Sequence, residues 1–182
     1  WYLNDNKEME GHYVDGRKNG LWTWWFDSGI KESEGHYIDD EQDGLWSYFS
    51  KDGSIAEEVT FSRGKRDGRS TVWLTPEEKQ EEKFYKNGKL DGPSTFWING
   101  YRNTMTTYKS DSPEGPWVIW FSNSDQIKEQ GFHQRGIREG LTTYYYEDGT
   151  MQREGFFRQG LPDGLWTYWN KKAEKDFEFD FG

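Results

Sequence analysis

The sequence has no cysteine, only two alanines (Ala56 and Ala173), three histidines and no apolar run near the ~20 residues that cross a bilayer as a helix. Each scarcity closes off a class. Without cysteine there are no disulfides, thiolate nucleophiles, iron–sulfur clusters or cysteine-ligated zinc sites. Two alanines beside 21 glycines argue against a helical bundle, since one is the best helix former and the other among the worst. Aliphatic residues are few as well: of 58 hydrophobic residues, 24 are Ala, Val, Ile, Leu or Met and 34 are Phe, Trp or Tyr. Leu, Ile, Val and Phe sum to 31 of 182 residues, which with a net charge of -10 matches the composition of a disordered chain. The 22 Trp and Tyr residues reverse that reading, because they bury more area than aliphatic side chains. Basic charge is also short, 23 residues against 33 acidic ones, which disfavours nucleic acid and anionic lipid membranes as main partners. No charged-then-apolar signal segment opens the chain, and the absence of cysteine fits either redox compartment.

What is present is a repeat. Glycines opening a Gly-Leu-Trp or similar triplet stand at Gly20, Gly44, Gly68, Gly92, Gly115, Gly140 and Gly164, at spacings of 23 to 25 residues. Seven residues before each of these key glycines lies a ring: Tyr13, Tyr37, Phe61, Tyr85, Tyr108, His133 and Phe157, with Phe181 a further 24 along. The residue before the key glycine is Asn19, Asp43, Asp67, Asp91, Glu114, Glu139 or Asp163. Asn-Gly and Asp-Gly pairs accept positive φ, so this column is expected to form the turn of a hairpin, with Gly16, Gly64, Gly88, Gly136 and Gly160 on the other side of the same reversal. A second turn is expected at Asp27-Ser28-Gly29, Lys51-Asp52-Gly53, Asn99-Gly100 and Glu147-Asp148-Gly149. The acidic column is read as turn chemistry rather than calcium ligation, because the clustered oxygen ligands of an EF-hand-like loop are missing.

The Glu-Gly-x-aromatic step (Glu10 to Tyr13, Glu34 to Tyr37, Glu154 to Phe157) and the Gly-x-x-(Asp/Asn)-Gly turn resemble the MORN repeat. The usual second glycine after the turn is replaced by Trp22, Trp46, Ser70, Ser94, Trp117, Thr142 and Trp166, which is similar to the variant form common in bacterial proteins, some of them antitoxin-like. The resemblance covers essentially residues 1–182 and implies an all-β fold: an elongated single-layer antiparallel sheet of stacked β-hairpins, about seven repeats of ~24 residues. The physics agrees, because one hairpin cannot bury a face alone and neighbours must cover each other. At roughly 4.8 Å per strand, seven two-stranded repeats are expected to make a rod of roughly 65 Å. Trp1 falls on the column of Trp25 and Phe181 on the first strand of a further unit, so the array is expected to begin and end mid-repeat, as a piece of a longer protein.

Alternation puts positions one, three and five after the key glycine on one face, and two, four and six on the other. Position five is aromatic in every repeat (Trp25, Phe49, Trp73, Trp97, Trp120, Tyr145, Trp169) and is expected to stack on the next copy. Position two varies between Trp and Ser or Thr. Such freedom marks Trp22, Trp46, Trp117 and Trp166 as candidate anchors of a binding surface, with half-buried strand residues as the plainer alternative.

Catalytic signals are weak. His12 and His36 share a column but stand roughly 9.6 Å apart, too far for a common metal, and His133 lies several repeats away. No P-loop, dinucleotide fingerprint, nucleophile elbow or His-Glu-x-x-His is present. The expectation is a non-enzymatic scaffold without cofactors that mediates protein–protein interaction, with toxin neutralisation implied only by the resemblance. A second expectation is a carbohydrate or cell-wall ligand module, because Tyr144 to Met151 is similar to the aromatic hairpins of choline-binding repeats, whose cages hold a quaternary ammonium. Unpaired edge strands add edge-to-edge self-association as a further expectation.

Overall fold

A computed structural model describes all residues from Trp1 to Gly182. It contains strands and turns and no helix. Contacts divide the chain into two units, Trp1–Lys89 and Leu90–Gly182.

The first unit holds β1 (Met9–Val14), β2 (Arg17–Trp25), β3 (Lys31–Ile38), β4 (Glu41–Phe49), β5 (Ile55–Ser62), β6 (Lys65–Trp73) and β7 (Lys79–Lys86). The second holds β8 (Lys89–Ile98), β9 (Tyr101–Lys109), β10 (Ser112–Trp120), β11 (Ile127–Gln134), β12 (Ile137–Arg138), β13 (Gly140–Tyr145), β14 (Met151–Arg158), β15 (Leu161–Trp169) and β16 (Lys175–Asp180). Within each unit the strands lie side by side in chain order, every neighbouring pair antiparallel, in an open single-layer sheet of stacked hairpins. β12 and β13 both pair with β11 and are one strand interrupted at Glu139.

The expected position of the first turn needs correction. The chain reverses before the key glycine, at two-residue turns in which both residues have positive φ: Asp15-Gly16 (49° and 79°), Asp39-Asp40 (50° and 71°) and Arg63-Gly64 (48° and 71°) are examples. That is the mirror-image turn whose twist matches antiparallel strands. The key glycines sit inside the following strand as bulges. In β4, His36 faces Asp43 while Gly35 faces Trp46, so Gly44 and Leu45 are extra residues against β3, although they pair regularly with Phe61 and Thr60 on β5. Gly44 has φ of 73°, a value that a side chain would strain.

The acidic column therefore has a different task from the one expected of it. Its carboxylates accept backbone N–H groups from the turn of the next hairpin: Arg63 N to Asp43 Oδ1 (3.4 Å), Asn87 N to Asp67 Oδ2 (2.9 Å), Arg135 N to Glu114 Oε2 (2.7 Å) and Gln159 N to Glu139 Oε2 (2.8 Å). The backbone repeats the same link, with Gly64 N donating to Gln42 O at 2.9 Å and Gly136 N to Pro113 O at 2.9 Å. Each turn is thus tied to the hairpin before it. The second turns form where expected, as at Phe26 to Ile30 and Tyr146 to Thr150.

Candidate interaction surface

The four position-two tryptophans are the first residues to place, and the structure corrects the premise that they are exposed. Trp22, Trp46, Trp117 and Trp166 are 2 to 3% exposed and form the core. The cause lies in the neighbouring strand. A Cβ added at Gly11 would come within 2.1 Å of Trp22, at Gly35 within 2.3 Å of Trp46, and at Gly155 within 2.2 Å of Trp166. The glycine of the Glu-Gly-x-aromatic step leaves a bare backbone on which the indole lies flat. The same lean lets Nε1 donate to the carbonyl one residue beyond the glycine, at His12 (3.1 Å), His36 (3.1 Å) and Phe156 (3.2 Å).

Trp117 tests this rule, because the preceding strand offers it Thr106 instead of glycine. Its indole goes the other way, onto Gly131 of β11, where an added Cβ would meet Cζ2 at 2.7 Å. The lean is reversed and the hydrogen bond is lost: Trp117 Nε1 is buried without a partner. Where position two is Ser70, the facing residue is Val59, and the two are 4% and 1% exposed. Indole on glycine and hydroxymethyl on valine are alternative fillings of one space.

Rings close over this core from both sides. Tyr37 meets Trp46 edge-on at 5.0 Å and Trp22 at 6.2 Å, and Phe157 and Phe181 bracket Trp166 at 5.3 and 5.8 Å. Position four continues the chain of rings, Trp24 lying 5.7 Å from Trp22 and 5.6 Å from Trp46. Ring contacts expected of position five run through positions two and four. At position five, rings lie under cations: Lys7 Nζ is 5.3 Å from Trp25, and the Arg102 guanidinium 4.9 Å from Trp120. Built-in cations cover the core face also, with Lys18 Nζ at 4.7, 5.1 and 5.0 Å from Trp22, Trp24 and Tyr37, and Arg138 at 4.3 Å from Trp117.

The opposite face carries an apolar feature of its own. Position one, directly after the key glycine, is Leu21, Leu45, Leu141 and Leu165 in four repeats, each about half exposed. In the second unit it joins half-exposed Phe132 and Phe156, which pair with Pro116 and Leu141. The result is an apolar stripe of Pro116, Phe132, Leu141, Phe156 and Leu165 across β10, β11, β13, β14 and β15, with shallow grooves between its members. In the first unit the equivalent rows are interrupted by His36, Thr60 and Arg69. Its signal in the sequence is the Gly-Leu pair that opens four of the repeats.

Ionisable groups gather nowhere as a reaction centre. No cluster of three or more His, Asp or Glu is placed to hold a metal ion. His12 and His36 are exposed, and each lends only its carbonyl to an indole. His133 packs 5.7 Å from Trp117, and burial, assisted by Arg138, holds its pKa below the ordinary imidazole value.

Three segments of the chain, residues 18–39, 42–62 and 138–159, match the family model described as MORN repeat variant. Each spans a strand that carries a key glycine together with the strand after it. No curated protein matches the chain.

Proposed function

Since the chain carries MORN-variant repeats, modules of a non-catalytic scaffold kind that mediate protein or membrane interactions, we propose that it docks a protein partner on the apolar stripe of its second unit. The observation that supports this reading is the row of half-exposed Phe132, Leu141, Phe156 and Leu165 on four adjacent strands. Contiguous exposed apolar surface rimmed by polar groups is characteristic of interaction sites. The net charge of -10 favours a partner that is neutral or basic and opposes an anionic membrane. The stripe replaces the four buried tryptophans as the contact surface, and two of them, Trp117 and Trp166, lie on the other face of its outer strands β10 and β15. Neutralising a toxin by covering it is the specific form that bacterial antitoxin-like proteins of this repeat type suggest.

The test is affinity capture from lysate of the native source with the intact chain and with a Leu141→Asp/Phe156→Asp variant. Both side chains are half exposed, so the variant keeps its circular dichroism spectrum and melting midpoint. A stoichiometric protein retained by the first and lost by the second supports the reading. Equal retention by both, or binding to anionic vesicles that the variant leaves unchanged, refutes it.

A further inference from the structure

We propose that the first unit holds a second site, independent of the stripe: an aromatic slot over Ser33 that takes an arginine or lysine side chain from a protein partner. Eleven residues before each key glycine, one position on the core face lies between the position-four residues of two flanking strands. In β3 that residue is Ser33, paired with Trp24 on one side and Tyr48 on the other. In β14, five repeats later, it is Arg153, paired with Tyr144 and Tyr168. The Arg153 guanidinium lies 4.0 Å from the centre of the Tyr144 ring, filling its own slot. At the last strand the same position is Phe177, stacked on Tyr168 at 4.3 Å. Serine has nothing to put there.

A second column supplies cations to the same face from two residues before the key glycine. Lys18 lies over three rings, while Arg66 and Arg138 reach the carboxylates of Glu57 (3.1 Å) and Glu129 (3.6 Å), which occupy the Ser33 position in their repeats. In the second repeat that column is Gln42, which donates to Tyr48 Oη at 3.2 Å and carries no charge. Neither Ser33 nor Gln42 supplies a cation here, and Lys18 of the preceding hairpin approaches only the Trp24 and Tyr37 walls. What is left is a cleft of about 340 Å3 walled by Trp24, Trp46, Tyr37 and Tyr48, floored by Ser33 and lined by Glu32.

The occupant follows from the molecule's own solutions to the same geometry. Arg153 shows that a guanidinium at this position settles on a position-four ring, and Lys18 shows that an ammonium is held by Trp24 and Tyr37 themselves. Indole faces attract cations, Glu32 adds a carboxylate, and the chain is acidic overall. The guanidinium, flat and weakly hydrated, is the better fit for a slot between two ring walls.

The probe is the blocked peptide acetyl-Gly-Arg-Gly-amide, with the Gln peptide and tetramethylammonium as comparison arms. Binding to the intact chain is followed by the indole N–H resonances of Trp24 and Trp46. Saturable shifts are expected near millimolar peptide, the range for a single anchoring side chain, with at least tenfold weaker binding of the Gln peptide. Ser33→Arg fills the slot as Arg153 fills its own and abolishes the shifts. Glu32→Gln, at an exposed position, weakens binding several-fold and leaves the fold alone, so the reading remains testable should Ser33→Arg unfold the repeat. Leu141→Asp/Phe156→Asp leaves peptide binding unchanged. A wild type that shows no saturable shift overturns the proposal, as does equal affinity for the Arg and Gln peptides. Saturation by tetramethylammonium alone would assign the slot to small quaternary ammonium ligands and overturn the choice of a protein side chain.

Discussion

The exchange of indole-on-glycine for hydroxymethyl-on-valine makes a double substitution far less damaging than its parts. Trp46 is 2% exposed, touches four rings and donates Nε1 to His36 O at 3.1 Å. Trp46→Ser therefore costs about 3 to 5 kcal/mol, the range for truncating a buried aromatic, of which the hydrogen bond supplies about 1. Gly35→Val places Cβ within 2.3 Å of Trp46 Cδ2 and forces the whole indole off its seat. Overpacking of this kind costs about 1 to 3 kcal/mol. In the double variant the valine enters space that the indole has left, reproducing the Val59 and Ser70 pair of the next repeat. The coupling energy should be about 2 kcal/mol or more in the direction of rescue, at the upper part of the range for contacting residues. Urea denaturation followed by far-ultraviolet circular dichroism measures it without relying on the fluorescence of the deleted ring. Additivity within about 0.5 kcal/mol would refute the shared-space argument, as would a Gly35→Val protein as stable as the wild type.

Two further outcomes follow from the same packing. Trp117→Phe should cost about 1 kcal/mol less than Trp46→Phe in the same denaturation assay, because Trp46 loses a hydrogen bond and Trp117 Nε1 has none to lose; equal costs would contradict the reversed lean. His133 has its pKa lowered in the folded chain by burial and then by Arg138, so the unfolded chain binds the proton more tightly. Its contribution is complete above the ordinary histidine value near 6.5 and is lost as pH falls through that value toward the depressed folded one. His133→Phe, which restores the ring found elsewhere in that column, should flatten the drop in melting midpoint between pH 7.5 and 5; an unchanged profile would remove His133 as its source.

Much of this architecture is legible in the spacing of the key glycines. A 24-residue period with aromatic strands and two turn signals leaves few options besides stacked hairpins, and the second turns fall on the residues that name them. Two columns behave differently in the folded chain, for physical reasons. An Asp-Gly pair accepts positive φ in a bulge as readily as in a turn, so the Asp43-Gly44 column resembles the reversal that Asp39-Asp40 makes. Variability at position two suggests freedom from packing, yet the exchange of Trp46 for Ser70 is matched on the facing strand: Gly35 under Trp46, Val59 beside Ser70. That covariation is written in the sequence eleven residues upstream and becomes visible only when the bulge sets the register. The direction in which Trp117 leans depends on Thr106 and Gly131 together, and no single repeat contains both.

Five turns are secured by a carboxylate from one hairpin earlier, 19 to 21 residues back, whereas at Asp40 and Asp111 the turn's own carboxylate accepts from Lys18 N and Leu90 N of the earlier hairpin. Either way the bond looks toward the N-terminus. On a ribosome the earlier hairpin would hold its half of the bond before the turn emerges, so the array can be built in the order in which it is synthesised, each arriving turn clasped by a finished one. The same arrangement makes the 24-residue period a unit of genetic change. Inserting or deleting one whole period gives every turn an acidic residue at the correct distance, whereas a gain or loss of a few residues strips one turn of its clasp and shifts the facing strands by a register. Length in such a chain is therefore free to vary in steps, and only in steps.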